Sequence, residues 1–256
     1  MAIDAVTWGL CQQALASLLK FAERDKFAEV RDMVGAAHLA AAYAAVGEDG
    51  GYEELVELID EEVVAAVSDD ALVDFAVRPD AGGLTLIDRY LAERSARETP
   101  VGRDFLRGLK DSRVGVFEVV GEKPDGGLEL RDVLTEGPTV AVDDDPDLDP
   151  FGEGEFVGAR LVPFRGGFCF AGGVWVLELD TVEAIPAAWA GVDAETLVAD
   201  PDFSDLTAEE LLAGVHENLP ALISSMVLEQ ELRGDLPDDE DDDDDDDEED
   251  APAKPN

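Results

Sequence analysis

RVGVFEVVGEKPDGGLELRDVLTEGPTVAVDDDPDLDPFGEGEFVGARLVPFRGGFCFAGGVWVLELD, residues Arg113 to Asp180, is the one part of this chain that reads as short strands separated by glycine turns. Apolar and polar residues alternate through Val114, Val116, Glu118 and Val120, through Leu128 and Leu130, through Val140 and Val142, and again through Phe156, Val157, Arg160 and Val162. Glycine pairs at 126–127, 166–167 and 172–173 fall where hairpin turns need backbone freedom. About five strands at this spacing predict a small antiparallel β-barrel or half-open sandwich.

Outward from that stretch, apolar residues recur at helical rather than alternating spacing. Ile3, Val6, Leu10, Leu15 and Leu18 mark one amphipathic helix, and Phe27, Val30, Val34 and Ala41 continue the pattern in a second that ends at Gly47. A third helix is expected over YEELVELIDEEVVAAVS, followed by a short one capped by Ser68 or Asp69 and stopped before Pro79. Thr85 and Thr99-Pro100 start two more. Beyond the strands, LTAEELLAGVHENLPALISSMVLEQEL predicts a long helix with a capping box at Thr207 and Glu210 and a kink or division at Pro220. The fold class is therefore α+β. A helical domain spans 1–112, a small barrel 113–180, a C-terminal helical segment 181–236 and a disordered acidic tail 237–256, where carboxylates repel and no apolar group offsets the cost of ordering.

Charge bounds the partners. The net charge is −44, and residues 238–250 are all acidic; the rest of the chain still holds 49 of the 62 acids against 17 of the 18 Lys and Arg, a net of −32. Such a surface repels duplex nucleic acid and anionic membranes unless a local basic patch intervenes. The densest run of cations, Arg103, Arg107, Lys110 and Arg113, is interleaved with Asp104 and Asp111. Acidity with few lysines fits adaptation to high salt or a GC-rich genome. Cys11 and Cys169 lie far apart without a neighbouring ligand pattern, as expected of buried thiols in a cytoplasmic protein. No apolar run reaches the length of a membrane span.

The runs LTLIDRYL at 84–91, Pro100 to Leu109, VFEV at 116–119, GLELRDVLT at 127–135 and GARLVP at 158–163 resemble a little-characterised bacterial family whose members often carry a C-terminal SEC-C metal-binding motif. The resemblance covers roughly Leu72 to Leu179. It implies a helical region joined to a small barrel and lends no activity. This chain departs from the family in Glu136-Gly137, in its lengthened acidic loop and in having an acidic tail in place of the Cys/His motif, so the metal role of the relatives does not carry over.

Catalytic patterns are not found. His216-Glu217 lacks the second histidine of a zincin helix, no glycine elbow surrounds Ser224 or Ser225, and no glycine pair leads into a phosphate loop. His38, among alanines, reads as an interhelical core residue. Asp145, Asp147 and Asp149 begin a calcium-loop pattern that fails at Pro150 and Phe156, leaving at most a weak cation loop. Arg131 and Asp132 belong at a hairpin end, and Arg160, in an otherwise apolar strand, reads as a buried cation paired with Glu118 or Asp132. These four form a structural or ligand-contacting polar cluster. The expectation is a cytoplasmic, non-catalytic protein-interaction module without cofactor or metal, its tail attracting a basic protein. The alternatives are an enzyme or small-ligand binder using a cleft between barrel and helices, and an acidic nucleic-acid mimic; direct binding of nucleic acid or membrane is not expected.

Overall fold

A computed structural model of the chain describes residues 3–47, 51–123, 126–134, 137–143, 151–182 and 208–234. Helix α1, Ala5–Ala22, starts at Asp4, whose carboxylate accepts the Thr7 amide at 2.9 Å. A single 3-10 turn, Asp25–Phe27, leads to α2, Ala28–His38, and α3, Ala40–Val46. The expected second helix is thus broken at Leu39. Helix α4, Tyr52–Leu58, and α5, Glu61–Val77, also divide one expected helix, and the second is capped at Asp60 rather than at Ser68 or Asp69. Leu55 and Ile59 are drawn into the core there, Ile59 is extended, and Asp60 restarts the helix by accepting the Glu62 amide, so α5 runs unbroken past Ser68 and Asp69.

Helix α6, Leu86–Arg94, opens with a reciprocal pair: the Asp88 amide donates to the Thr85 hydroxyl and the Thr85 amide to the Asp88 carboxylate. After a 3-10 turn at Ser95–Arg97, α7, Pro100–Lys110, delivers the chain into β1. The strands are β1, Arg113–Glu122; β2, Leu128–Asp132; β3, Val140–Val142; β4, Phe156–Phe164; and β5, Gly167–Leu177. They close into a barrel in the order β1-β2-β3-β5-β4, so the barrel rather than the half-open sandwich is formed. Every neighbouring pair is antiparallel except β3 and β5, which meet in parallel at Val142 and Phe168. The β4–β5 hairpin turns on Arg165 and Gly166, both with positive φ, as a two-residue hairpin requires.

Strand β4 positions everything that follows, because both of its faces are buried. Val157, Ala159 and Leu161 fill the barrel with Phe117, Leu130 and Phe170. Gly158, Arg160, Val162 and Phe164 turn instead toward the helices, where Val162 and Phe164 join Phe105, Leu106 and Leu109 of α7 in one apolar cluster with α1. The core therefore continues across the boundary at residue 112. Gly108 of α7 lies so close to β4 that an added Cβ would stand 2.1 Å from the Pro163 carbonyl oxygen.

Helix α8, Ala208–Gly234, passes through Pro220 undivided and binds both halves together. Its Ile223 and Val227 pack on Val116 and Leu177 of the barrel, and its Leu228 on Leu55, Val64 and Val67 of α4 and α5. At its far end, the Gln230 side chain donates to the Val176 carbonyl and accepts the Glu178 amide, each at 3.3 Å, along the edge of β5. The acidic tail, the Thr207 cap and Asp145, Asp147 and Asp149 fall outside the described residues. Among the described residues, no helix is long and apolar enough to cross a membrane.

Candidate functional site at the junction of barrel and helices

The spacing of Asp70, Asp74 and Arg78 puts three charged groups on one face of α5, the face that meets β4, β5 and α8. Asp74 is the centre. One of its oxygens accepts Arg160 Nη2 of β4 at 3.1 Å, and the other accepts Arg78 Nε at 2.8 Å and lies 2.7 Å from Arg78 Nη2. His38 Nε2 of α2 lies 3.4 Å from that second oxygen, and His38 Nδ1 lies 2.8 Å from the hydroxyl of Ser224 on α8. Burial alone would raise the Asp74 pKa, but the His38 hydrogen bond and the charges of Arg160 and Arg78 outweigh it and hold the carboxyl below its ordinary value. An ionised Asp74 only accepts, so His38 Nε2 donates to it.

Asp70, one turn earlier, accepts the Gly173 amide and the Trp175 indole N–H, both at 2.7 Å. Burial pushes its pKa up, against those two hydrogen bonds and the charges of Arg160 and His38. Burial also draws the Arg160 guanidinium below its usual value, against the pull of Asp74 and Asp70; an arginine nonetheless keeps its charge. Two carboxylates and two guanidiniums thus form one group, and two further hydrogen bonds tie it to neighbouring elements. Arg160 Nη1 donates to Ser112, and Arg78 Nη2 to the Glu217 carbonyl of α8.

The order Ser224, His38, Asp74 matches the connectivity of a nucleophile, base and orienting carboxylate. Its surroundings do not suit that chemistry. Ser224 and His38 are 2% and 1% exposed, and the cavity they face, shared with Asp70, Arg160 and Trp175, is about 20 Å³, room for one water. No substrate carbonyl fits against the Ser224 hydroxyl. Cys11 is similarly inert: it is buried, and burial pushes its thiol up to about 11.

On the solvent side of the same network lies an open cleft of about 480 Å³, of the size that small molecules occupy. Arg78, Arg113 and Arg160 converge on it, with Ser112, Asp74 and Glu217, over a floor of Val77, Pro79, Val114 and Pro220. Arg113 is the accessible member. Its guanidinium stands 3.7 Å from Asp132 and 5.9 Å from the rings of Phe117 and Phe168.

The four residues singled out from sequence are not one cluster. Arg160 pairs with Asp74 and not with Glu118 or Asp132, because residues 158, 160 and 162 face the helices. Glu118 and Arg131 are direct cross-strand partners whose side chains hydrogen-bond on the barrel exterior. Asp132 fixes the hairpin end by accepting the Leu134 amide at 3.0 Å. His38, Asp70, Asp74, Arg78 and Arg113 were not selected for this site from sequence. The available signal was the four-residue spacing of the α5 charges in an otherwise apolar run.

Comparison with protein families matches residues 58–190, from α4 to just past β5, to a family of unknown function (DUF7986). That match shows no relation to SEC-C proteins. Neither the curated proteins nor the solved structures contain a match to this chain.

Proposed function

Since this chain belongs to the DUF7986 family, whose function is unknown, we propose its role from geometry: a non-catalytic binding module whose junction cleft takes a small organic carboxylate. The observation that supports it is the convergence of three arginines on one open cleft in a chain with 62 acids and 18 Lys and Arg. Arg160 and Arg78 are held by Asp74, so they are pre-oriented, and Arg113 presents the accessible planar fork that a carboxylate accepts in two hydrogen bonds. The apolar floor would cover the organic part of the ligand. Thermal unfolding against a panel of aliphatic and aromatic monocarboxylates tests this. At least one should raise the Tm of the native chain and fail to raise that of Arg113→Ala; a panel without effect at millimolar concentration would refute the assignment.

A second reading rests on the sequence. Thirteen consecutive acids at 238–250 suit long-range attraction to a basic protein, in a cytoplasmic setting, with the helical body and barrel as the docking module. Pull-downs at physiological salt with and without residues 237–256 test it, and recovery of the same proteins by both would remove the tail from the mechanism.

A further inference from the structure

The fold assembles a basic cleft from two segments that are seventy residues apart, so that no local run of the sequence shows it. Lys20 lies in the last turn of α1 and Arg24 just past its end, and Arg94 and Arg97 lie at the end of α6 and in the 3-10 turn after it. Together they line an open cleft of about 450 Å³ with Ser17, Phe21, Tyr90 and Glu98. Four cations face one carboxylate in a chain of net charge −44. The densest run of cations in the sequence, at 103–113, is interleaved with acids; this concentration arises only from tertiary structure.

Cations in the last turn of a helix have an ordinary role, which is to offset the negative end of the helix dipole. Here that role is exceeded. Two helix ends amount to about one negative charge together, and among the described residues Lys20, Arg94 and Arg97 form no ion pair within 4 Å. Arg24 and Lys26 share the single carboxylate of Glu93. Of the nearby acids, the Glu98 carboxylate accepts the Tyr90 hydroxyl, and Glu23 faces Asp69 of α5, which it repels. The cleft is also firmly built. The Arg24 guanidinium lies 3.9 Å from the centre of the buried Phe21 ring, which packs edge-on against Tyr90 at 5.3 Å. Burial and the Glu98 carboxylate push Tyr90 up to about 12, so its hydroxyl stays protonated beside the cations.

We infer that this cleft binds a small phosphorylated molecule through Lys20, Arg24, Arg94 and Arg97. A phosphorylated ligand matches the unpaired donors of Lys20, Arg94 and Arg97, with Arg24 held beside them by Glu93, and Ser17 supplies a neutral hydroxyl to the lining. A phosphate-rich surface such as a membrane or nucleic acid would instead meet the −44 charge of the whole chain, so a compact ligand that enters the cleft alone is favoured. This site is separate from the junction cleft and does not rest on the carboxylate reading.

The test is calorimetric titration of pyrophosphate into the full chain in metal-free buffer, with sulfate at matched ionic strength as the control. Saturable binding with one site, at least tenfold tighter than sulfate, is expected. The double variant Arg94→Ala/Arg97→Ala and the single variant Lys20→Gln should each weaken it, by about tenfold for each guanidinium removed, whereas Arg113→Ala in the junction cleft should leave it unchanged. Absence of binding, or binding equal in the variants, overturns the assignment. Anionic vesicles and a single-stranded oligonucleotide complete the series. Tighter binding of either at equal phosphate concentration, lost in the same variants, overturns the small-molecule reading in favour of that surface.

Discussion

Arg160 of β4 donates to Asp74 of α5 at 3.1 Å, joining two residues that are 86 positions apart and fixing the barrel to the helical body through a buried charge pair. Removing either side chain strands its partner in the interior. Asp74→Ala should destabilise the protein by about 3–5 kcal/mol, since it leaves Arg160 buried without its carboxylate, while the double replacement Asp74→Leu/Arg160→Met should recover much of that loss. Urea unfolding of the two variants and the native chain checks both halves of the expectation.

The two α5 carboxylates respond to acid with opposite signs. The folded pKa of Asp74 is depressed, so its contribution is fully present above the unfolded value near 3.8 and is lost as pH falls through the lower folded value. The folded pKa of Asp70 is raised, so the folded state takes up its proton first and native stability gains relative to Asp70→Asn as pH falls from neutral toward 3.8. Stability measured from pH 7 to pH 3 for the native chain, Asp70→Asn and Asp74→Asn should show these two opposed trends as differences between the curves.

Glycine tests the packing of α7 on the barrel. Gly108→Ala places a Cβ 2.1 Å from a backbone oxygen, which cannot swing aside as a side chain would, and should cost about 1–3 kcal/mol. Gly9→Ala on α1 meets nothing within 4 Å and should instead stabilise by about 0.5–1 kcal/mol. Thermal unfolding of the pair separates steric from conformational effects of the same chemical change.

Self-repulsion sets a salt dependence. With a net charge of −32 before the acidic run at 238–250, the body should gain Tm steadily as sodium chloride is raised from dilute buffer. A chain ending at Leu236 should show nearly the same slope as the full protein. A slope confined to the full chain would place the repulsion in the tail.

The barrel was legible because glycine turns and two-residue alternation are local, and the Thr85 cap because its partner Asp88 is three residues away. The helix breaks at Leu39 and Ile59 were not, since each goes with burial in a cluster that includes Leu228, remote in sequence from both. Arg160 could be recognised as a buried cation from its apolar strand, yet its partner Asp74 lies in a helix that local alternation cannot connect to it. Lys20 and Arg97 illustrate the same limit: each looks unremarkable among its neighbours, and only the packing of α1 beside α6 gives them a common purpose.

Gln230 has a consequence for how this molecule meets others. Among the described residues, the second edge of β5 is paired with β3 at Phe168 alone, and an unpaired edge is a template on which a guest strand can grow. The Gln230 amide offers one donor and one acceptor to Val176 and Glu178, as a peptide group of an adjoining strand would, and the Asp70 carboxylate occupies the Gly173 amide further along. These side chains act as a counterfeit strand. Replacing Gln230 with leucine would leave the Val176 carbonyl and the Glu178 amide without these two bonds, and light scattering of that variant against the native chain should show the greater association.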